Sequence, residues 1–134
     1  MSSTQEINQP GDAQGAAIHY KQWYEMDPVR KELEDRAFQD RGFESNILPD
    51  GRVVYLQEFP REDSIEIMVV LDWLFPLKPP SVFVENLPEG LAMPFEADGS
   101  VQVFNLNRPW SPEYTASISV DYFEEDLQAA LEGE

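Results

Sequence analysis

The chain has 134 residues, 42% of them apolar and 12% aromatic, which fits one domain with a single core and excludes wholesale disorder. Nine Lys and Arg against 26 Asp and Glu give a net charge of -17, a field that repels phosphate backbones and anionic headgroups and argues against nucleic acid or a membrane as partner. Cysteine is absent, which removes disulfides, thiolate zinc sites and thiol catalysis, and no apolar run reaches the ~20 residues of a spanning helix. The opening MSSTQEINQP lacks the basic start and apolar stretch of a secretory signal, so a cytoplasmic protein is expected.

Residues 1–15 hold hardly an apolar anchor and read as a flexible tail, with one domain over 16–134. Ile18, Tyr20, Trp23, Tyr24 and Met26 are dense enough to pack as an irregular or short helical lead-in. Asp27-Pro28 is a helix start, and Val29, Leu33 and Ala37 recur every four residues until Gly42, which predicts a helix over 28–41. The period then becomes strand-like: FESNIL, a turn at Pro49-Asp50-Gly51, and RVVYLQEF. A turn at 61–63 leads to SIEIMVVLDWLF, rich enough in β-branched residues for a strand largely buried on both faces. Pro76, Pro79 and Pro80 break the chain before a fourth strand, SVFVENL. Residues 86–112 form a long connection of the kind that carries function or wraps a core. Ile118, Tyr122 or Phe123, Leu127 and Leu131 mark one face of a closing helix. The expected fold class is α+β, a four-stranded antiparallel meander with an N-terminal and a C-terminal helix.

Few side chains point to chemistry. His19 is the only histidine and has no evident partner. Glu124, Glu125 and Asp126 are consecutive on a helix and so point in different directions, which suits a solvated face better than a metal site. The charges of the first helix, Arg30, Lys31, Arg36 and Arg41 among Glu32, Glu34, Asp35 and Asp40, read as a salt-bridged solvent face. No glycine-rich phosphate loop is present, and nothing in the sequence activates Ser100 or Ser111 as a nucleophile. No cofactor or metal is expected.

The informative stretch runs from 73 to 115. Phe75-Pro76-Leu77-Lys78-Pro79-Pro80-Ser81-Val82-Phe83-Val84 is followed by Asp98-Gly99-Ser100-Val101 and then by Trp110-Ser111-Pro112-Glu113-Tyr114-Thr115. In these motifs and their order the chain resembles the ubiquitin-conjugating enzymes, over residues 28–131. The resemblance implies a catalytic cysteine three residues beyond Gly99 and eight before Trp110, and both counts land on Gln102. It implies a His-Pro-Asn turn upstream, where this chain has Met93-Pro94-Phe95. An amide forms no thioester, since that exchange needs an ionisable thiol as nucleophile and leaving group. With a single closing helix the chain is similar to the catalytically inactive variants of the family and to RWD domains.

The resemblance therefore implies a non-catalytic binding or adaptor protein. Its partner would be a ubiquitin-like protein, an active conjugating enzyme or a short peptide, held by the outer face of the meander, the 86–112 loop or the first helix. Met93, Phe95, Gln102, Phe104, Asn105 and Arg108 are the candidate contact residues. The charge alone supports a different expectation, an acidic chaperone or immunity-type protein that masks a basic partner.

Overall fold

The computed structural model describes residues 21–58 and 65–133; the tail at 1–15, His19 and the turn at 61–63 lie outside them. Helices α1 (Trp23–Met26) and α2 (Pro28–Gln39) precede four strands, β1 (Glu44–Ile47), β2 (Val53–Glu58), β3 (Glu66–Leu71) and β4 (Ser81–Glu85), and α3 (Ile118–Glu132) follows the long connection. The strands form one antiparallel sheet in the order β1-β2-β3-β4, so the α+β meander expected from the sequence is present. Of the lead-in, Trp23–Met26 is helical, while Ile18 and Tyr20 lie outside the described residues. Trp23 is buried against Phe75, ring centroids 4.8 Å apart, and the Tyr24 hydroxyl donates to the Gly51 carbonyl at 3.0 Å.

Helix α2 begins as its sequence requires. Pro28 occupies the first turn and the Asp27 carboxylate accepts the Arg30 N–H at 3.1 Å. The helix stops at Gln39, two residues before the expected end. Gly42 adopts φ 84°, and the Phe43 N–H returns to the Phe38 carbonyl at 3.0 Å, which closes the last turn. The periodic Val29 and Leu33 do not face the core; they are 75% and 52% exposed. Phe38 decides the rotation of the helix. It stacks on Tyr55 at 3.9 Å, and the face it defines carries Glu34 and Arg30 one and two turns earlier.

The Asp50-Gly51 turn forms as expected. The Leu48 N–H donates to Arg52 O at 2.8 Å across it, with Gly51 at φ 96° where a side chain would be strained. Strand β3 ends at Leu71 rather than running on to Phe75, because the Asp72 carboxylate accepts the Leu74 N–H at 2.9 Å and turns the chain. Register then sorts the sheet residues by face. Tyr55, Val69 and Val82 lie in one inward row and join Phe38, Phe123 and Leu127 in a single core. Leu56, Met68 and Phe83 pair across the strands on the opposite face, so β3 is not buried evenly on both sides.

The segment between β4 and α3 is held at discrete points. Trp110 is half-buried; its indole N–H donates to the Pro76 carbonyl at 2.8 Å, and its ring meets Phe75 and Phe104 at 5.9 and 5.5 Å. Arg30 donates to the carbonyls of Pro112 and Tyr114 at 2.8 and 2.7 Å and to Glu34 at 2.6 Å. Glu34 has no exposed surface and takes the Ala116 N–H at 2.7 Å with its other oxygen. The Arg30–Glu34 pair is thus not part of a solvent face, although Arg36–Glu32 on the same helix is. Burial pushes the Glu34 carboxyl above its ordinary value, opposed by the Ala116 N–H and by Arg30.

Glu34→Ala leaves the Arg30 Nε–H and the Ala116 N–H without their acceptor and is expected to cost about 3–5 kcal/mol in denaturant unfolding. Adding Arg30→Ala should then cost much less than it does alone; additive losses would mean that the two groups do not act together. Trp110→Ala is expected to cost about 2–3 kcal/mol, below the ~3–5 kcal/mol of a fully buried aromatic because one side of the ring is wet. An unchanged midpoint would show that Trp110 does not anchor the loop.

Candidate functional site

Gln102 lies on a segment that extends the sheet edge. The Val101 N–H donates to Val82 O at 2.7 Å, and the Gln102 N–H donates to Pro94 O at 2.9 Å. These bonds lay residues 93–95 beside 101–102, with Phe95 and Val101 paired as an isolated bridge. The intervening turn is fastened by Asp98, whose carboxylate accepts both the Ser100 N–H at 2.9 Å and its hydroxyl at 2.6 Å. Those two bonds hold the Asp98 carboxyl below its ordinary value.

A second turn places Asn105 and Arg108 beside this segment. Their backbones exchange hydrogen bonds at 3.1 and 3.2 Å, and the Asn105 side chain accepts the Asn107 N–H at 2.8 Å. Arg108 then reaches across to α3. Its Nη1 and Nη2 bind the two Asp126 oxygens at 3.1 and 2.7 Å, its Nε and Nη2 bind Val103 O at 2.9 and 2.7 Å, and its guanidinium lies 4.4 Å from the Tyr122 ring centroid. The result is a groove of about 510 Å³ between the loop and α3, with Met93, Gln102, Asn105 and Arg108 in its walls.

Four of the six candidate contact residues are therefore brought together. Phe95 and Phe104 are not. Phe95 is 53% exposed outside the groove, whereas Phe104 packs against Trp110 and Tyr122, with ring centroids 5.5 and 5.8 Å away. An aromatic in a loop of this composition could face either way, and the ring contacts available to Phe104 settle its direction. Arg108 is also spent on the fold, since its donors are engaged with Val103 and Asp126.

Chemically the groove offers amides and an apolar floor. Gln102 is exposed, and the Met93-Pro94-Phe95 segment beside it supplies no side-chain amide or imidazole. The Ser100 hydroxyl is buried and donates to Asp98, and the Ser111 hydroxyl accepts the Glu113 N–H at 3.3 Å, so each serves its own turn. Among the described residues no group of three or more His, Asp or Glu side chains is placed to hold a metal ion. Among them, too, no helix is long and apolar enough to cross a membrane.

No protein-family model matches the chain, and no curated protein and no solved structure is significantly similar to it.

One surface had no residues attached to it by sequence reasoning, the outward face of the sheet. There Leu56, Met68 and Phe83 form an apolar row with Glu44, Glu66 and Glu85 around it. The signal is the alternation in VVYLQE and EIMVVL, but which alternate set faces the core depends on where α2 and α3 dock.

Arg108→Ala removes the strut between the 103–108 turn and α3. Hydrogen bonds to charged groups contribute about 1.5–3 kcal/mol, so the variant is expected to lose stability on that scale and to exchange the Asn105 and Arg108 amides faster. Parent-like exchange at both amides would mean that other contacts hold the groove wall.

Proposed function

We propose that this chain is a non-catalytic protein of the ubiquitin-conjugating-enzyme type, acting in the cytoplasm as a binding or adaptor module. The observation that carries the reading is Gln102. It stands where the resemblance requires a cysteine, exposed beside a groove whose neighbours are Met93, Asn105 and an Arg108 already committed to Asp126. A site that is shaped but has no group to make or leave a thioester suits holding a protein rather than transferring one. A ubiquitin-like protein or an active conjugating enzyme is the partner this reading favours.

The acidic-chaperone reading keeps one observation of its own. The outer side of α3 carries Glu124, Glu125 and Glu132 with no basic residue in the helix. A basic partner bound there would be released by salt, because exposed charges more than ~8 Å apart are largely screened at ~0.15 M.

Restoring the thiol separates a binding scaffold from an enzyme that has lost one residue. Acyl transfer also needs the developing oxyanion stabilised, and removing one such donor elsewhere costs ~10²–10³ in rate. Gln102→Cys, incubated with an activating enzyme, ATP and a ubiquitin-like protein, is expected to give no reductant-sensitive band on a non-reducing gel. The parent chain is expected to bind the ubiquitin-like protein or an active conjugating enzyme reversibly, read by amide shift changes. A robust thioester that discharges onto lysine, or no binding of either protein, would overturn the proposal.

A further inference from the structure

The outward face of the sheet is built as a receptor of its own. Register sets Glu44, Leu56, Met68 and Phe83 in one row across all four strands, and Glu66 and Glu85 as a pair in the next row on that face. Leu56 is 46% exposed, Met68 and Phe83 are half-buried, and all three carboxylates are exposed. In the row on the other side of the apolar one, Val54 and Val70 are paired and buried on the same face. The whole forms a shallow depression of about 470 Å³. None of the three carboxylates has an ion-pair partner among the described residues, whereas Arg30, Lys31, Arg36, Arg41, Arg52, Lys78 and Arg108 are each paired elsewhere.

We propose that this face binds an amphipathic helix from a partner protein, its apolar stripe laid along Leu56, Met68 and Phe83 and its Lys or Arg flank against Glu66 and Glu85. The charge pattern selects a basic partner. A second copy of the chain would bring like carboxylates together on a molecule of net charge -17. The direction of the apolar row selects a helix. It runs across the strands, and two strand spacings make about 10 Å from Leu56 to Phe83. A helix covers about 10.5 Å between residues i and i+7, so anchors at i, i+4 and i+7 meet the three side chains in turn. An extended peptide lying along one strand would meet a single member of the row. The outer face of the meander is one of the surfaces the ubiquitin-conjugating resemblance offers a partner, but the proposal uses neither Gln102 nor the groove beside α3, so its failure and that of the reading above are distinguishable.

The test uses the full chain and synthetic Ala-based peptides of about 20 residues, long enough to be helical alone, with Leu at i, i+4 and i+7. One peptide carries Lys on a single flank of the stripe, a second carries Glu there, and a third replaces the Leu anchors by Ala. The Lys peptide is expected to bind, to shift the amides of Leu56, Met68 and Phe83, and to weaken as salt rises. The Glu and Ala-anchor peptides are expected not to bind. Glu66→Lys combined with Glu85→Lys, both at exposed positions, should weaken the Lys peptide by about tenfold or more, and Met68→Glu should abolish binding while leaving the fold intact by circular dichroism. Equal binding of the Lys and Glu peptides, or shifts confined to Val29 and Leu33 on α2, would overturn the proposal. So would self-association of the chain that Met68→Glu abolishes, since the face would then be covered by a second copy.

Discussion

The Arg30–Glu34 pair is the constraint on which the rest of the architecture depends. A carboxylate with no exposed surface is costly unless its lone pairs are satisfied, and here one oxygen takes the Arg30 Nε and the other the Ala116 N–H. Arg30 in turn spends its remaining donors on the carbonyls of Pro112 and Tyr114, with its guanidinium over the Phe75 ring. One turn of α2 therefore fixes the last residues of an irregular segment immediately before α3 begins. From there Val120, Phe123 and Leu127 reach the same core as Phe38 and Tyr55. Without that clamp the entry to α3 would be left to the Thr115–Ser117 hydroxyl pair, the local turns of residues 115–120 and the Arg41–Asp121 pair.

Cationic side chains do most of the joining, which follows from their scarcity. Arg41 binds both oxygens of Asp121 at 3.2 and 2.9 Å and so ties the end of α2 to the start of α3. Arg108 ties the loop to the middle of α3 through Asp126. In both cases the guanidinium geometry matters, because two parallel bonds fix an orientation that a lysine ammonium would leave free. Among the described residues, the negative excess is what remains once Arg30, Lys31, Arg36, Arg41, Arg52, Lys78 and Arg108 have each taken a carboxylate. It collects on the outer side of α3 and on the outward sheet face.

The elements legible in the sequence are those whose signals are local. Asp27-Pro28, Asp50-Gly51 and Pro79-Pro80 act through backbone torsions and missing N–H groups, so their effect does not depend on distant packing. The rotation of α2 was not legible, because Val29 and Leu33 have the helical period of a core stripe and only the stacking of Phe38 on Tyr55 turns them outward. Glu34 hid among other acids in the run from Glu32 to Asp35. Its one signal was the spacing of four from both Arg30 and Phe38, which places a charge pair on the face of the largest apolar residue of the helix. At the loop groove, Met93, Gln102, Asn105 and Arg108 line one cavity, whereas Phe104 packs on Trp110 and Tyr122 and Phe95 stands exposed, because the direction of an aromatic in a loop is set by ring contacts that local sequence does not show.

The two candidate surfaces differ in what they have left to offer. In the loop groove the charged groups are consumed by the fold: Arg108 and Asp126 neutralise one another, and the exposed polar groups are neutral amides. Recognition there would rest on shape and on hydrogen bonds to Gln102 and Asn105, and would be insensitive to salt. On the sheet face the apolar row is open and the carboxylates are unpaired among the described residues, so long-range attraction and apolar burial act on the same partner. A chain with both would hold one protein by contact and draw another by charge, on opposite sides of one sheet. On the proposed reading such an arrangement would bring two proteins together, which is what an adaptor does in physical terms.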